Sequence, residues 1–533
     1  MGKLKALSAI LAALALITLA SPSQAQLFGR KNDNSNVRID EMEERMRVLT
    51  GHIEQLSYQV RELQDQIRRM QEDNEYRFQQ LEGGGKPGKR SDAGQPEPPA
   101  GNLADSVQTL GTLPSGGSGD GDEPDLFLFE NFQGNSSSKI LLGEWQVAYR
   151  GIAYCNLALN NIPNIEMDPT EKARYLGEAA FIRAYWYFNL VTVFGDVPLI
   201  LNNLSPSEYQ QGRTPAAEVW AQIEADLTAA RESLPKRSAI SVSEIGRATW
   251  GAATALLAKA HAYQGEWQPC HDLCMEIISS QEYFLDPDYA NIFTEAGENG
   301  PGSIWEIQYM NASGGNWGNQ LEGTFTNVWQ RARGQFGGYG FNIPEQDFVD
   351  EFEDGDPRLA ATVFQVGDQM GDRGTFTLEA TGMPHLYYPK KFFINASDEA
   401  PFGDPNPNGY SNDRVIRYAD VLLFGAESAY YLGDEALARQ LTNIVRARAR
   451  NNNSAILPNL SSETGQALLD AILHERRVEL GLEGHRFFDL VRQGRAAEEL
   501  ADLGFTAGVN EVFPIPEVEI TLSGGLITQN NGY

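Results

Sequence analysis

The sequence predicts a mainly α-helical protein, with TPR-like helix-pair repeats, an irregular loop-rich insertion, and an N-terminal coiled coil ahead of them. Three observations predict it. Long stretches carry apolar residues at helical spacing, with Ala and aromatics recurring in adjacent segments. One central stretch lacks that period and is rich in Gly, Pro, Asn and aromatics. Near the start, apolar residues alternate in steps of three and four across five heptads.

Residues 1–25 have the build of an export signal. Lys3 and Lys5 precede an apolar run from Ala6 to Ala20, and Ser21-Pro22-Ser23-Gln24-Ala25 supplies a small-x-small cleavage site. Cleavage there predicts a mature chain starting at Gln26 in the cell envelope, periplasm or outer membrane, and with no cysteine nearby no lipid anchor is expected. Later stretches stay short of the roughly 18 apolar residues that a membrane-spanning helix needs.

Residues 26–82 form the expected coiled-coil oligomerisation segment. Ile39, Met46, Ile53, Val60 and Ile67 fall at position a, and Met42, Leu49, Leu56, Leu63 and Met70 at d. Such a narrow seam needs a partner helix, so the chain is expected to self-associate as a dimer or trimer. Residues 83–122 are Gly-, Pro-, Ser- and Asp-rich and predict a flexible linker.

The formal net charge is −30, nearly all of it carried after residue 122. A field of that sign repels nucleic acid and anionic lipid, so no nucleic-acid partner is expected. A neutral ligand such as a sugar is compatible with it. The three cysteines, Cys155, Cys270 and Cys274, make no disulfide framework. Cys270, His271 and Cys274 lack a second ligand pair at zinc spacing, and small buried thiols are the expectation. Asp404-Pro405-Asn406-Pro407-Asn408-Gly409 begins like a calcium loop, but Val415 stands where the bidentate acid belongs. No metal and no cofactor are expected.

Within 123–533, helices are expected at 145–162, 171–194, 216–234, 247–264, 269–279, 418–431, 434–448, 465–482 and 487–493, with the insertion at about 295–412. Four blocks in these helices, and a fifth at the C-terminus, carry a resemblance. They are Glu178-Ala179-Ala180-Phe181-Ile182-Arg183-Ala184-Tyr185-Trp186-Tyr187-Phe188, Gly246-Arg247-Ala248-Thr249, Ile416-Arg417-Tyr418-Ala419-Asp420-Val421, Glu475-Arg476-Arg477-Val478-Glu479-Leu480 with Glu483-Gly484-His485-Arg486-Phe487-Phe488-Asp489-Leu490, and Pro514-Ile515-Pro516 to Tyr533. Together they resemble the SusD/RagB family of nutrient-uptake outer-membrane proteins. The resemblance implies four TPR-like helix pairs supporting an irregular ligand-binding region. It further implies binding of an oligosaccharide or other small nutrient, and a TonB-dependent transporter as partner. Residues 1–95 resemble instead the coiled-coil segment of CpoB/YbgF, the Tol–Pal-associated division coordinator. A signal, coiled coil and linker thus stand where the SusD/RagB family has its lipidated cysteine and first helices. The competing function is accordingly a periplasmic Tol–Pal-associated scaffold coordinating envelope constriction.

Enzymatic activity is not expected. Glu475 and Glu479 lie one turn apart, but among arginines, where ion pairs fit better than a glycosidase pair flanking a cleft. No Walker, Gly-x-Ser-x-Gly or His-Glu-x-x-His motif is present. The candidate ligand residues are Trp317, Trp329 and Tyr339, with Asn316 and Asn319, because sugar C–H faces stack on rings while amides bond hydroxyls. Trp305, within the strand-like Ser303-Ile304-Trp305-Glu306-Ile307, is expected in the core.

Overall fold

The computed structural model describes residues 115–116, 124–311, 323–382, 385–402 and 408–533. The expected signal, the coiled coil and all of the expected linker except two residues lie outside the described residues. Those two, Ser115–Gly116 (β1), pair antiparallel with Ile343–Pro344 (β3) of the insertion.

Among the described residues, the array is carried by α1 Lys139–Asn161, α2 Pro169–Phe194, α3 Ala216–Ser233, α4 Trp250–Tyr263, α5 Trp267–Ser280, α6 Tyr418–Tyr431, α7 Glu435–Ala449, α8 Gly465–Glu479 and α9 Arg486–Arg492. Each forms for local reasons. In α1 the buried Leu141, Trp145, Ala148 and Ile152 recur every three or four residues and mark its inward stripe. Ser138 starts that helix by accepting from the Leu141 N–H. Asp168 caps α2 by accepting from the Thr170 and Glu171 N–H groups at 2.9 and 3.1 Å, with Pro169 at the first helical position. Asp434 caps α7 in the same way through Leu437. The expected 247 start of α4 moves to Trp250 because Thr249 Oγ1 caps the Ala252 N–H.

Successive helices pack side by side from α1 to α8, and α5 packs directly on α6 although 137 positions, 281–417, lie between them. The helical array is therefore continuous in space and the insertion is looped out of it. Small residues allow the close crossings: Ala252, Ala253, Ala260, Ala426 and Ala429 are wholly buried. At the α1–α2 crossing a Cβ on Gly151 would stand 2.1 Å from Trp186 Nε1, so only glycine fits without displacing the indole.

The insertion is closed at its base by Ser303–Ile307 (β2), which pairs antiparallel with Asp413–Arg417 (β6). Farther out, Val363–Gln365 (β4) pairs with Tyr387–Pro389 (β5). Short helices and loops connect these strands, as the absence of a helical period predicts. Trp305 is 7 % exposed, with its ring edge-on to Phe181 and Tyr185 of α2, each at 4.8 Å, and is a core residue as expected.

Buried charge fastens the insertion to the array. Arg358 is 1 % exposed and pairs with Asp356, with Glu475 at 2.6 Å and with Glu479 at 3.1 Å. Lys391, wholly buried, pairs with Glu483 at 2.6 Å. Arg417 and Arg448 also reach Glu479, and Arg446 reaches Glu475. Burial pushes the Glu479 carboxyl up, but the guanidiniums of Arg448, Arg417 and Arg358 together hold it well below the usual carboxylate range. Both glutamates of the α8 pair are thus consumed by structural ion pairs.

Candidate ligand-binding site

Four of the insertion's aromatic residues gather on one tight loop. Residues 328–332 and 338–341 face each other in hairpin fashion. The carbonyls of Val328, Trp329, Arg331 and Ala332 accept from the N–H groups of Tyr339, Phe341, Gly340 and Gly338, each at 2.9 Å. Gly338 is required there, because a Cβ would lie 2.0 Å from the Arg331 carbonyl oxygen.

This backbone brings four rings together. Trp329 lies 4.3 Å from Phe341, 5.4 Å from Phe325 and 6.5 Å from Tyr339 by ring centroids. Trp329 and Tyr339 are half-buried, whereas Phe325 and Phe341 are buried beneath them. The Trp329 indole N–H is shielded from solvent and has no acceptor among the described residues, so it is not part of the residue's exposed surface.

Two anchors fix the loop. Glu399 accepts from Asn327 Nδ2 at 2.8 Å and pairs with Arg331 at 2.7 Å and Arg373 at 2.5 Å. Burial lowers the Arg331 guanidinium below its ordinary value; Glu399 opposes that shift and Arg373 adds to it. Thr324 and Gly409 exchange backbone hydrogen bonds at 2.8 and 2.9 Å. At the loop's approach, Asn412 Oδ1 accepts from the Tyr309 N–H at 2.8 Å, and its own N–H donates to Glu298 at 2.7 Å. Asn412 Nδ2 donates to Glu306 and Gln308, each at 3.0 Å. Burial, with Glu306 and Glu295 nearby, pushes the Glu298 carboxyl up to about 7 against the pull of the Asn412 N–H and Arg414.

Of the residues expected at a ligand site, Trp329 and Tyr339 are brought together. Trp317, Asn316 and Asn319 lie outside the described residues. Phe325 and Phe341 are members of the cluster that the sequence reading did not pick out. No periodic signal marks them, since the left-handed Gly340 (φ 68°) breaks any strand alternation between Tyr339 and Phe341. Phe336 belongs elsewhere, 1 % exposed in a separate core with Phe364, Phe376 and Tyr388.

Other groups with chemical potential are occupied. Cys270 and Cys274 are buried on α5 and free of disulfides. The hydrogen bond between the two thiols, together with burial, pushes Cys274 well up, the opposite of what a reactive thiol needs. Glu224, His261 and Glu266 converge at the α3–α4–α5 corner, where His261 Nδ1 lies 2.6 Å from Glu266 Oε2 and 4.0 Å from Glu224 Oε1. That is a partly exposed hydrogen-bonded group.

A continuous helical-repeat array that carries a rigid, aromatic-bearing insertion defines a binding protein built on TPR-like pairs. Residues 301–533 match the model described as "SusD family", and residues 129–261 the one described as "Starch-binding associating with outer membrane". A structure titled "Laminarin binding SusD-like protein" shares 34 % identity, with a TM-score of 0.71 over 81 % of this chain and 94 % of that one. The chain belongs to the SusD family. Surface glycan-binding protein A from Bacteroides thetaiotaomicron, in complex with laminarihexaose, shares 25 % identity with a TM-score of 0.69 over 81 % of this chain and 94 % of that one. SusD-like protein P25 from Formosa agariphila is 28 % identical over 73 % of this chain and 79 % of its own length. The matched family stretches begin at residue 129 and lend no support to the CpoB-like reading of residues 1–95.

Proposed function

We propose that this protein captures oligosaccharides at the outer membrane and hands them to a TonB-dependent transporter, without catalysing their cleavage. The observation that carries the reading is the half-buried Trp329–Tyr339 pair, held by a backbone hairpin and the Glu399 anchor on an otherwise rigid array. Rings fixed in advance lose little entropy when a sugar stacks on them. Trp317, with Asn316 and Asn319, supplies the remaining ring and the amide donors of this proposed site. The α8 carboxylates support binding rather than catalysis, because their oxygens are taken up by Arg358, Arg417, Arg446 and Arg448. Family membership supports the outer membrane as the working location. Among the described residues no helix is long and apolar enough to cross a membrane. Laminarin oligosaccharides are the first ligands to test, since one similar SusD-like protein binds laminarin and another was solved in complex with laminarihexaose.

A calorimetric screen of the exported protein against neutral oligosaccharides and oligopeptides tests the proposal. Saturable binding of a sugar, and co-purification with a TonB-dependent transporter, is the expected result. Silence towards every glycan, with retention of cell-division envelope proteins instead, would favour the Tol–Pal-type scaffold.

A further inference from the structure

A second cavity lies where the insertion meets the α8–α9 corner, and its chemistry differs from that of the aromatic loop. It encloses about 30 Å³, room for roughly two water-sized groups. Phe348, Leu480 and Leu482 form apolar walls, and the guanidiniums of Arg476, Arg477 and Arg486 line it beside Asp489. Three guanidiniums to one carboxylate is an unusual lining in a chain of net charge −30.

Arg476 is 2 % exposed. Its Nε donates to Asp489 Oδ2 at 2.7 Å and its Nη1 to Asp420, but its buried Nη2 has no acceptor among the described residues. Gln493 Oε1, also in the lining, is buried and unpartnered. An orphaned guanidinium N–H is costly unless something accepts from it. Gln493 turned end for end would present its amide N–H₂ to the same space. Burial and the neighbouring Lys259 and Arg476 cations hold His485 well below its ordinary value. Lys259 Nζ lies 3.4 Å from His485 Nδ1.

The surrounding acids leave room for another. Asp489 is engaged by Arg476 and Arg492, and Asp420 by Arg476. Arg477 pairs with Asp347 and Glu351, and Arg486 with Glu499, all of them more exposed than their partners and so more screened by solvent. Burial, with Arg477 adding, still pushes the Arg486 guanidinium down to about 10 in spite of Glu499.

We propose that this cavity binds a carboxylate group on a short apolar stem. Arg476 Nη2 and the guanidinium of Arg486 receive the two oxygens, which fill the cavity, Arg477 adds charge beside them, and the stem projects from the cavity along Phe348, Leu480 and Leu482. The shared chemistry could be supplied by a free short-chain carboxylic acid or by an acidic side chain or terminus of a polypeptide. The inference is independent of the sugar site.

The test is a titration of the full-length protein with ¹³C-propionate followed by NMR, with propionamide as the uncharged control. Saturable propionate binding near the millimolar range is expected. Arg486→Met should weaken it at least ~5-fold by removing a charge-assisted contact, and propionamide should not saturate. Arg477→Met, whose partners are exposed, serves as the second variant if Arg486→Met melts early. A pentapeptide ending in a free carboxylate that binds tighter than propionate identifies a polypeptide source, and a weaker one identifies the free acid. Absence of saturation at ~100 mM, equal binding of propionamide, or undiminished affinity in both folded variants would overturn the proposal.

Discussion

The helical array and the insertion occupy one compact unit but are held together by different physics. The array buries apolar stripes against neighbouring helices, and its contacts are mostly between elements close in sequence. The insertion has two-stranded sheets of two to five residues and small cores, one of which joins Phe348, Phe352 and Val363 to Val478 of α8, and buried charges carry much of the rest of its attachment. Arg358 and Lys391 reach partners about a hundred residues away. Elements of the first kind tolerate a shaved side chain in proportion to the cavity left. Elements of the second kind should fail sharply when one partner is removed, because a buried charge is then left uncompensated.

The strongest way to break this contrast is Glu479→Gln. That carboxylate serves Arg358, Arg417 and Arg448, and its neutralisation should cost about 3–5 kcal/mol. Hydrogen exchange should rise first around 356–391 while α4 to α6 stay protected; uniform loss of protection would argue against separate modes of attachment. Trp305→Ala should cost about 3–4 kcal/mol in denaturant melts, here through lost packing against Phe181 and Tyr185, with little change in pH sensitivity.

Acid offers a smaller effect of definite sign. Burial raises Asp489, but Arg476 and Arg492 outweigh it and bring the carboxyl down to about 2. Its contribution is present above the unfolded carboxylate pKa near 4 and is lost as pH falls towards 2. Melting temperature should therefore drop between about pH 4 and 2, and less steeply in Asp489→Asn, which starts less stable. Glu298 works in the opposite direction. Its folded value of about 7 lies above the unfolded one, so the folded form binds the extra proton and stability declines as pH rises from about 4.5 to 7. Glu298→Gln should flatten that decline, by about 1 kcal/mol once solvent screening is allowed for.

The same contrast decides what could be read in advance. Periodicity located α6 at its observed bounds and α2 and α3 to within two residues. Helix α8 ends at Glu479 rather than 482 because Leu482 turns into a left-handed conformation (φ 65°) that leads the chain to α9. Ion pairing of Glu475 and Glu479 was expected from the arginines of their block, but Arg476 and Arg477 pair with other acids and the partners are Arg446, Arg417, Arg448 and Arg358; neither Arg358 nor Lys391, which pairs with the neighbouring Glu483, was legible. A lone charge in a loop-like sequence looks solvated, and only tertiary contact shows that these two are buried. Trp329 and Tyr339 stood out by composition. The Phe325 and Phe341 rings beneath them, and the Glu399 anchor, depend on the loop's hairpin pairing and on partners far along the chain, which no local pattern displays.

The central claim is that sugar recognition belongs to the insertion's rings and not to the array's. Calorimetry of the full-length protein with a laminarin oligosaccharide tests it through three variants. Tyr339→Ala and Trp317→Ala should each weaken binding at least several-fold, about 1–3 kcal/mol, the scale of a lost aromatic anchor. Trp267→Ala, which removes a half-buried ring of α5 stacked at 4.2 Å on the exposed Tyr431, should leave affinity unchanged. Intact binding in both insertion variants, or an equal loss on removing Trp267, would contradict the account.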